Sequence, residues 1–194
     1  MNKTLEKNIA EYTLSERTIS ILEKNFLDCT TNESLVFKQN VIDISCTRQG
    51  IQTKNIIARI DPSCVDEIYK YVHLYVNDYY EKRLYYYYFT IDYAHMIHYS
   101  KGGHQLIHNH SKMEDHSFIV YLNDSSGCTR IYCGDSHIDI ESKRGKLVVF
   151  DASLYHEGTV CEEERKLIVG SIRFLYKVWA HRPDVPIDAS LAQW

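Results

Sequence analysis

The sequence predicts a mainly β protein with helices ahead of its sheet, and three observations carry that expectation. From Leu84 onward, short runs rich in Tyr, Val, Ile, Phe and Thr recur every ten residues or so, separated by Gly-, Asn- and Asp-containing turns. No amphipathic helix interrupts them. Before them, Asp61-Pro62-Ser63 opens a stretch in which Val65, Ile68, Tyr69, Val72, Tyr75, Val76 and Tyr79 follow the three-four spacing of a core-facing helix. A chain of 194 residues, 44% hydrophobic and 25% charged, is also ordinary globular material with enough length to bury a real core. The expected architecture is a sandwich or barrel with a leading helix.

Taken in order, residues 1–24 carry helical spacing in Leu5, Ile9, Tyr12, Ile19 and Leu22, which predicts an N-terminal helix. Residues 35–37 and 40–46 predict short strands. The helix that starts after Asp61, with Asp61 able to cap it, should run to about Lys82. Strands are expected over 84–91, 94–99, 105–110, 116–122, 129–133, 137–141, 146–150 and 166–174. Turn chemistry falls at 123–127, 133–135 and 143–145, each with a glycine. The expected organisation is an extension over 1–60 packing on the core, a core with its leading helix over 61–176, and a tail over 177–194 that wraps the surface.

A net charge of −4 argues against a large phosphate-binding surface, so no nucleic-acid partner is expected. No run of 18 apolar residues exists, which excludes a helical membrane span. The first 17 residues lack the apolar centre of a signal peptide. The six cysteines have no CxxC pair and predict reduced thiols in a cytoplasmic protein. The sixteen tyrosines suit half-buried sheet faces, where an apolar ring with a polar tip fits.

Chemistry concentrates in Tyr99-Ser-Lys-Gly102-Gly-His104-Gln-Leu-Ile-His108-Asn-His110 and in Leu154-Tyr-His156-Glu-Gly158. Two imidazoles at i and i+2 on an extended segment point to one side of a sheet. A third from a distant strand can close a three-ligand face on one ion and leave other positions open. His104 reads as a rim residue, His95 and His98 as ordinary residues of a neighbouring strand with proximity to a pocket as the alternative, and His116 and His137 as structural or solvent-facing. His108-Asn-His110 does not mark an HNH nuclease, whose residues stand far apart on a ββα unit.

The order of these pieces resembles the iron(II)/2-oxoglutarate-dependent oxygenases, most closely their prolyl-4-hydroxylase-like branch. The resemblance runs from about Tyr99 to Phe174: Tyr99-Ser-Lys-Gly102 leads to His108, Tyr121-Leu-Asn123-Asp124 to Gly127-Cys-Thr129, Lys143-Arg144-Gly145 to a strand, and then His156-Glu-Gly158. It implies a double-stranded β-helix (jelly-roll, cupin-like) core with flanking N-terminal helices. It implies that His108 and His156 bind iron, that Lys166, ten residues after His156, grips the distal carboxylate of 2-oxoglutarate, and that Tyr99 and Thr129 help to hold it. Arg165 and Arg173 rival Lys166 for that role. The implied reaction uses O2 and 2-oxoglutarate, releases succinate and CO2, and hydroxylates an unactivated C–H bond of an amino-acid, peptidyl (prolyl included) or small-molecule substrate. No catalytic residue beyond the metal site is implied.

One departure stands at position 110, where the family usually places Asp and this chain has histidine. With His110 as third ligand, an all-imidazole set leaves iron(II) at +2 rather than +1. Glu114 or Asp115, in the following loop, are the alternatives for a carboxylate. Two further readings stay open: a three-histidine iron dioxygenase that does not use 2-oxoglutarate, and a non-catalytic sandwich that binds a metal or ligand.

Overall fold

Alternating side chains give every strand two faces, and this sheet buries both by rolling one of them inward and covering the other with helices. The computed structural model describes residues 3–6, 8–37, 47–79, 85–110 and 114–179. Its elements are β1 (Lys3–Glu6), β2 (Ile9–Thr13), α1 (Glu16–Thr30), β3 (Thr47–Gln52), α2 (Pro62–Tyr79), β4 (Tyr85–His108), β5 (His116–Tyr121), β6 (Ser125–Cys133), β7 (Ser136–Ser142), β8 (Lys146–Asp151), β9 (His156–Gly158) and β10 (Arg165–Trp179). The strands pair antiparallel in the order β1-β2-β8-β5-β10-β4-β9-β6-β7, with β3 alongside β4.

β4 makes the roll possible. Its first part pairs with β10, from Tyr85 opposite Trp179 to Tyr99 opposite Arg165, and its last part with β9, Gln105 opposite Gly158 and His108 opposite His156. Between them the chain turns at Gly102, whose φ of 84° suits glycine, and at Gly103, where a Cβ would stand 2.7 Å from the Tyr99 Cβ. Ile97, Tyr99, Ile119, Tyr121, Ile131, Ile140, Val148, Phe150 and Leu167 then meet in one interior cluster, although they come from strands at both ends of the pairing order. The opposite face contributes Met96, Phe118, Val120, Val149, Ile168 and Ile172 to a second core with Ile19, Leu22 and Phe26 of α1 and Ile68, Val72 and Val76 of α2.

The N-terminal expectation is corrected. Residues 3–6 and 9–13 are strands, not the start of a helix, because β2 supplies the partner that the outer edge of β8 lacks: Ile9 lies opposite Phe150 and Tyr12 opposite Leu147. The helical spacing of Leu5, Ile9 and Tyr12 yields to this long-range pairing. α1 begins only after Ser15, whose Oγ accepts from the Thr18 amide at 3.3 Å. The Glu67 carboxylate of α2 accepts from the Ser15 amide and hydroxyl, both at 2.7 Å, and from the Thr18 hydroxyl, joining the two helices.

α2 starts at Pro62 as expected, with Asp61 Oδ1 accepting from the Ser63 amide at 2.9 Å. Its expected extension to Lys82 lies outside the described residues, as do the expected strand over 40–46 and the tail beyond Trp179. Of the expected strand at 35–37, only an isolated bridge between Val36 and Thr53 forms. β3 and the three-residue β9 were not expected, the first being polar and the second too short to show a period. The five described cysteines are all free, and among the described residues no helix is long and apolar enough to cross a membrane.

Candidate metal centre

His108 and His156 face each other as direct partners across the β4–β9 ladder, which brings their ring centroids to 4.3 Å. His110 follows just past the end of β4, its amide held by the Ala152 carbonyl at 2.9 Å, and its ring stands 4.8 Å from His108 and 5.3 Å from His156. One ring nitrogen from each lies within 4.8 Å of the others. His108 Nδ1 donates to the Leu106 carbonyl (2.8 Å) and His156 Nδ1 to the Leu154 carbonyl (3.1 Å). A carbonyl only accepts, so these bonds set the tautomer and leave both Nε2 lone pairs for an ion.

Burial, in the first place, holds all three rings neutral. It lowers His156 to about 3 and His110 to about 4, with the neighbouring histidines adding to the effect, and it also lowers His108. Neutral imidazoles converging in a half-closed barrel mouth are a donor set that fits a divalent transition metal. The Phe150 ring packs edge-on against His156 at 4.9 Å and walls off that side.

Neither carboxylate considered from sequence joins the cluster. Glu114 stands behind His110, its Oε1 3.4 Å from Nδ1. Burial raises its carboxyl to about 7, against the hydroxyls of Ser117, Tyr93 and Ser171. Asp115 accepts from the Phe174 amide at 2.8 Å.

The expectation for Lys166 is corrected by strand parity. Lys166 does share a face with Ile168 and Ile172, but that face packs toward α1 and α2, not into the barrel. Its ammonium pairs with Glu164 at 2.7 Å, and Glu164 also takes His98 Nε2 at 3.1 Å. The interior face carries Arg165, Leu167 and Val169 instead. Arg165 is 1% exposed and its guanidinium lies 4.8 Å from the Tyr99 ring centroid. Arg173, on the same strand at the barrel mouth, is 54% exposed at its side chain and pairs with Asp92 at 2.8 Å, remote from Tyr99 and Thr129.

Tyr99 and Thr129 do come together around Arg165, joined by Tyr121, which the sequence places in the family's spacing without a role in the site. Tyr121 is fully buried and donates to Thr129 Oγ1 at 2.6 Å, and burial pushes its hydroxyl pKa up. Glycines make the space: a Cβ on Gly158 would meet Arg165 Nη2 at 2.5 Å, and one on Gly127 would meet Nη1 at 3.0 Å. Gly158 follows His156 by two residues on β9 and so shares its inward face, about 7 Å along the strand. The His-x-Gly spacing therefore couples a candidate ligand to the guanidinium cradle. Four other histidines weighed from the sequence stand apart from the cluster: His95 faces the Thr53 carbonyl, His104 the Gly102 carbonyl, His116 is buried against Tyr75 and Tyr79, and His137 lies on the surface by Asp139.

No protein-family model and no curated protein matches the chain. Solved structures do. A prolyl-4-hydroxylase from Pseudomonas putida superposes with a TM-score of 0.65 at 18% identity, over 86% of this chain and 92% of that one. A prolyl hydroxylase from Trichoplax adhaerens, in complex with a peptide fragment of the hypoxia inducible factor oxygen degradation domain, gives 0.65 at 12% identity, over 87% and 83%. The non-heme alpha ketoglutarate dependent carbocyclase SnoK from nogalamycin biosynthesis gives 0.66 at 9% identity, over 95% and 85%. At such identities the likeness is one of fold. The chain has the jelly-roll fold of prolyl-4-hydroxylases and other 2-oxoglutarate/iron(II) oxygenases, with a three-histidine cluster inside it.

Proposed function

We propose that the chain is an iron(II)- and 2-oxoglutarate-dependent dioxygenase that hydroxylates an unactivated C–H bond of an amino-acid, peptidyl or small-molecule substrate. His108, His110 and His156 hold the metal through their Nε2 atoms. Arg165, not Lys166, takes the distal carboxylate of 2-oxoglutarate, with Tyr99, Tyr121 and Thr129 lining its seat. The bound metal and co-substrate supply oxidation by O2 coupled to release of succinate and CO2. The chain's own residues set the position of each reactant, and the apolar interior keeps water from the site.

The observation that carries this reading is Arg165. Its only hydrogen bond among the described residues goes from Nη1 to the Cys128 carbonyl at 2.9 Å, and its Nε has no partner there. A guanidinium 1% exposed, without a carboxylate, is costly until an anion meets it. It shares one barrel interior with the three imidazoles, so the expected anion is one that spans both. The same observation favours 2-oxoglutarate over a three-histidine dioxygenase that lacks it. Exposed Leu106, Ile107 and Tyr155 beside the ligands give the rim an apolar character that suits a peptide or small apolar substrate.

The test is succinate formation from 2-oxoglutarate with iron(II) and O2 across a panel of amino acids and proline-containing peptides. Turnover should vanish in His108→Ala. Absence of both 2-oxoglutarate binding and turnover in the wild type overturns the proposal.

A further inference from the structure

All three imidazoles of the cluster have their Nδ1 turned to an oxygen, but not to the same kind. His108 and His156 use main-chain carbonyls two residues back along their own chain, Leu106 and Leu154. His110 stands beyond the last residue of β4, and its Nδ1 faces the side chain of Glu114 at 3.4 Å. The Glu114 side chain is 1% exposed. Glu114 is itself fixed on both sides: its amide donates to the His110 carbonyl at 3.2 Å, and its Oε1 accepts from Ser117 Oγ at 3.0 Å. Its Oε2 is buried, with the hydroxyls of Tyr93 and Ser171 beside the carboxyl. A buried carboxylate carries a desolvation cost and contributes nothing to the strand ladders here. Its closest link to the chemistry of the site is the ring of His110.

We infer that Glu114 is a positioning residue for the third metal ligand. It accepts from the His110 Nδ1–H, sets that ring's tautomer and plane, and so aims Nε2 at the ion shared with His108 and His156. The inference rests on the three-histidine metal site proposed above. It gives the departure at position 110 a structural counterpart: a ligand beyond the strand end, whose Nδ1 has no carbonyl partner among the described residues, takes the side chain of Glu114 instead. Outer partners of this kind set ligand orientation, and their loss typically weakens metal binding by about 10–100-fold.

Titration of the full chain with Co(II), followed by its visible absorption, tests this without turnover. Glu114→Leu, close in volume but with no acceptor, should weaken Co(II) binding by about 10–100-fold, whereas Glu114→Gln, which keeps an acceptor, should stay within about threefold. In a His110→Ala background, Glu114→Leu should change affinity by less than about twofold, since the partner it acts through is gone. Unchanged affinity in Glu114→Leu, or an undiminished loss in the His110→Ala background, overturns the inference. Should Glu114→Leu fail to fold, Ser117→Ala, which frees Oε1, should still weaken Co(II) binding severalfold, and unchanged affinity there overturns it equally. A wild type that takes up no Co(II) overturns the metal site itself, a result distinct from either.

Discussion

Replacing Arg165 by Met should abolish 2-oxoglutarate binding at useful concentrations, while the same change at Lys166 should barely register. The two residues are adjacent in sequence and both cationic, but they sit on opposite faces of β10. Arg165 is buried with one hydrogen bond spent on the Cys128 carbonyl, which leaves donors for a carboxylate. Each hydrogen bond to a charged group is worth about 1.5–3 kcal/mol, so loss of a two-pronged contact should cost about 3–6 kcal/mol, on the order of 10²–10⁴ in Kd. Lys166 is a third exposed at its side chain and paired with Glu164 at 2.7 Å. Surface pairs of this kind contribute about 0–1 kcal/mol, so Lys166→Met should shift Kd by less than about fivefold. Calorimetric titration of Mn(II)-loaded protein with 2-oxoglutarate measures both values in the absence of turnover. The ligand-free Arg165→Met protein should be no less stable than wild type, because it sheds a buried, unmatched charge. Loss of binding in Lys166→Met with retention in Arg165→Met would refute the assignment of the interior face.

Three further predictions follow from the same geometry. Gly158→Ala puts a methyl group 2.5 Å from Arg165 Nη2, so it should raise the Kd for 2-oxoglutarate at least tenfold while leaving Co(II) affinity near wild type; the two titrations separate these effects. His110→Asp sets a second carboxylate beside buried Glu114 and should weaken Co(II) binding, whereas tighter binding would show a site that prefers the two-histidine, one-carboxylate set. Metal-free protein should lose stability as pH falls from 6.5 toward 4. His110, His116 and His156 have folded values of about 4, 4 and 3, so below 6.5 the unfolded chain takes up protons that the folded chain refuses. Glu114, raised to about 7, acts oppositely, its contribution being present below about 4.5 and lost as pH rises through 7. The three histidines outweigh the one carboxyl, and the slope is on the order of 2 kcal/mol per pH unit near pH 5.5. Urea melts at pH 7, 6 and 5 check this, and a flat profile would refute it.

Much of the fold is legible in local pattern. The leading helix appears in the apolar spacing from Val65 to Tyr79, and strands β5, β7 and β8 appear within a residue of their bounds because turn residues stand on either side, while β6 starts four residues earlier and β10 ends five residues later than the pattern suggests. Leu5, Ile9 and Tyr12 satisfy a helical period by coincidence, and only the open edge of β8 selects the extended form for the first strands. β9 is three residues long, too short for any period, yet it carries His156. β4 looks like three strands because Gly102 and Gly103 punctuate it, while in space it is one strand serving both halves of the roll.

The candidate site divides in the same way. His108, His110 and His156 were recognisable from residue type and spacing, since an imidazole's donor chemistry and the two-residue repeat of a strand belong to local sequence. Which cation points inward was not, because Arg165 and Lys166 are consecutive and parity assigns them to opposite faces without saying which face is enclosed. Closure of the barrel settles that, together with the glycines that leave room for a guanidinium and the tyrosines that seat it. Glu114 likewise comes within 3.4 Å of the His110 ring only in the folded chain. Residue chemistry and period are properties of neighbours in the chain; burial, facing and pairing are properties of strands that meet only after the sheet has rolled up.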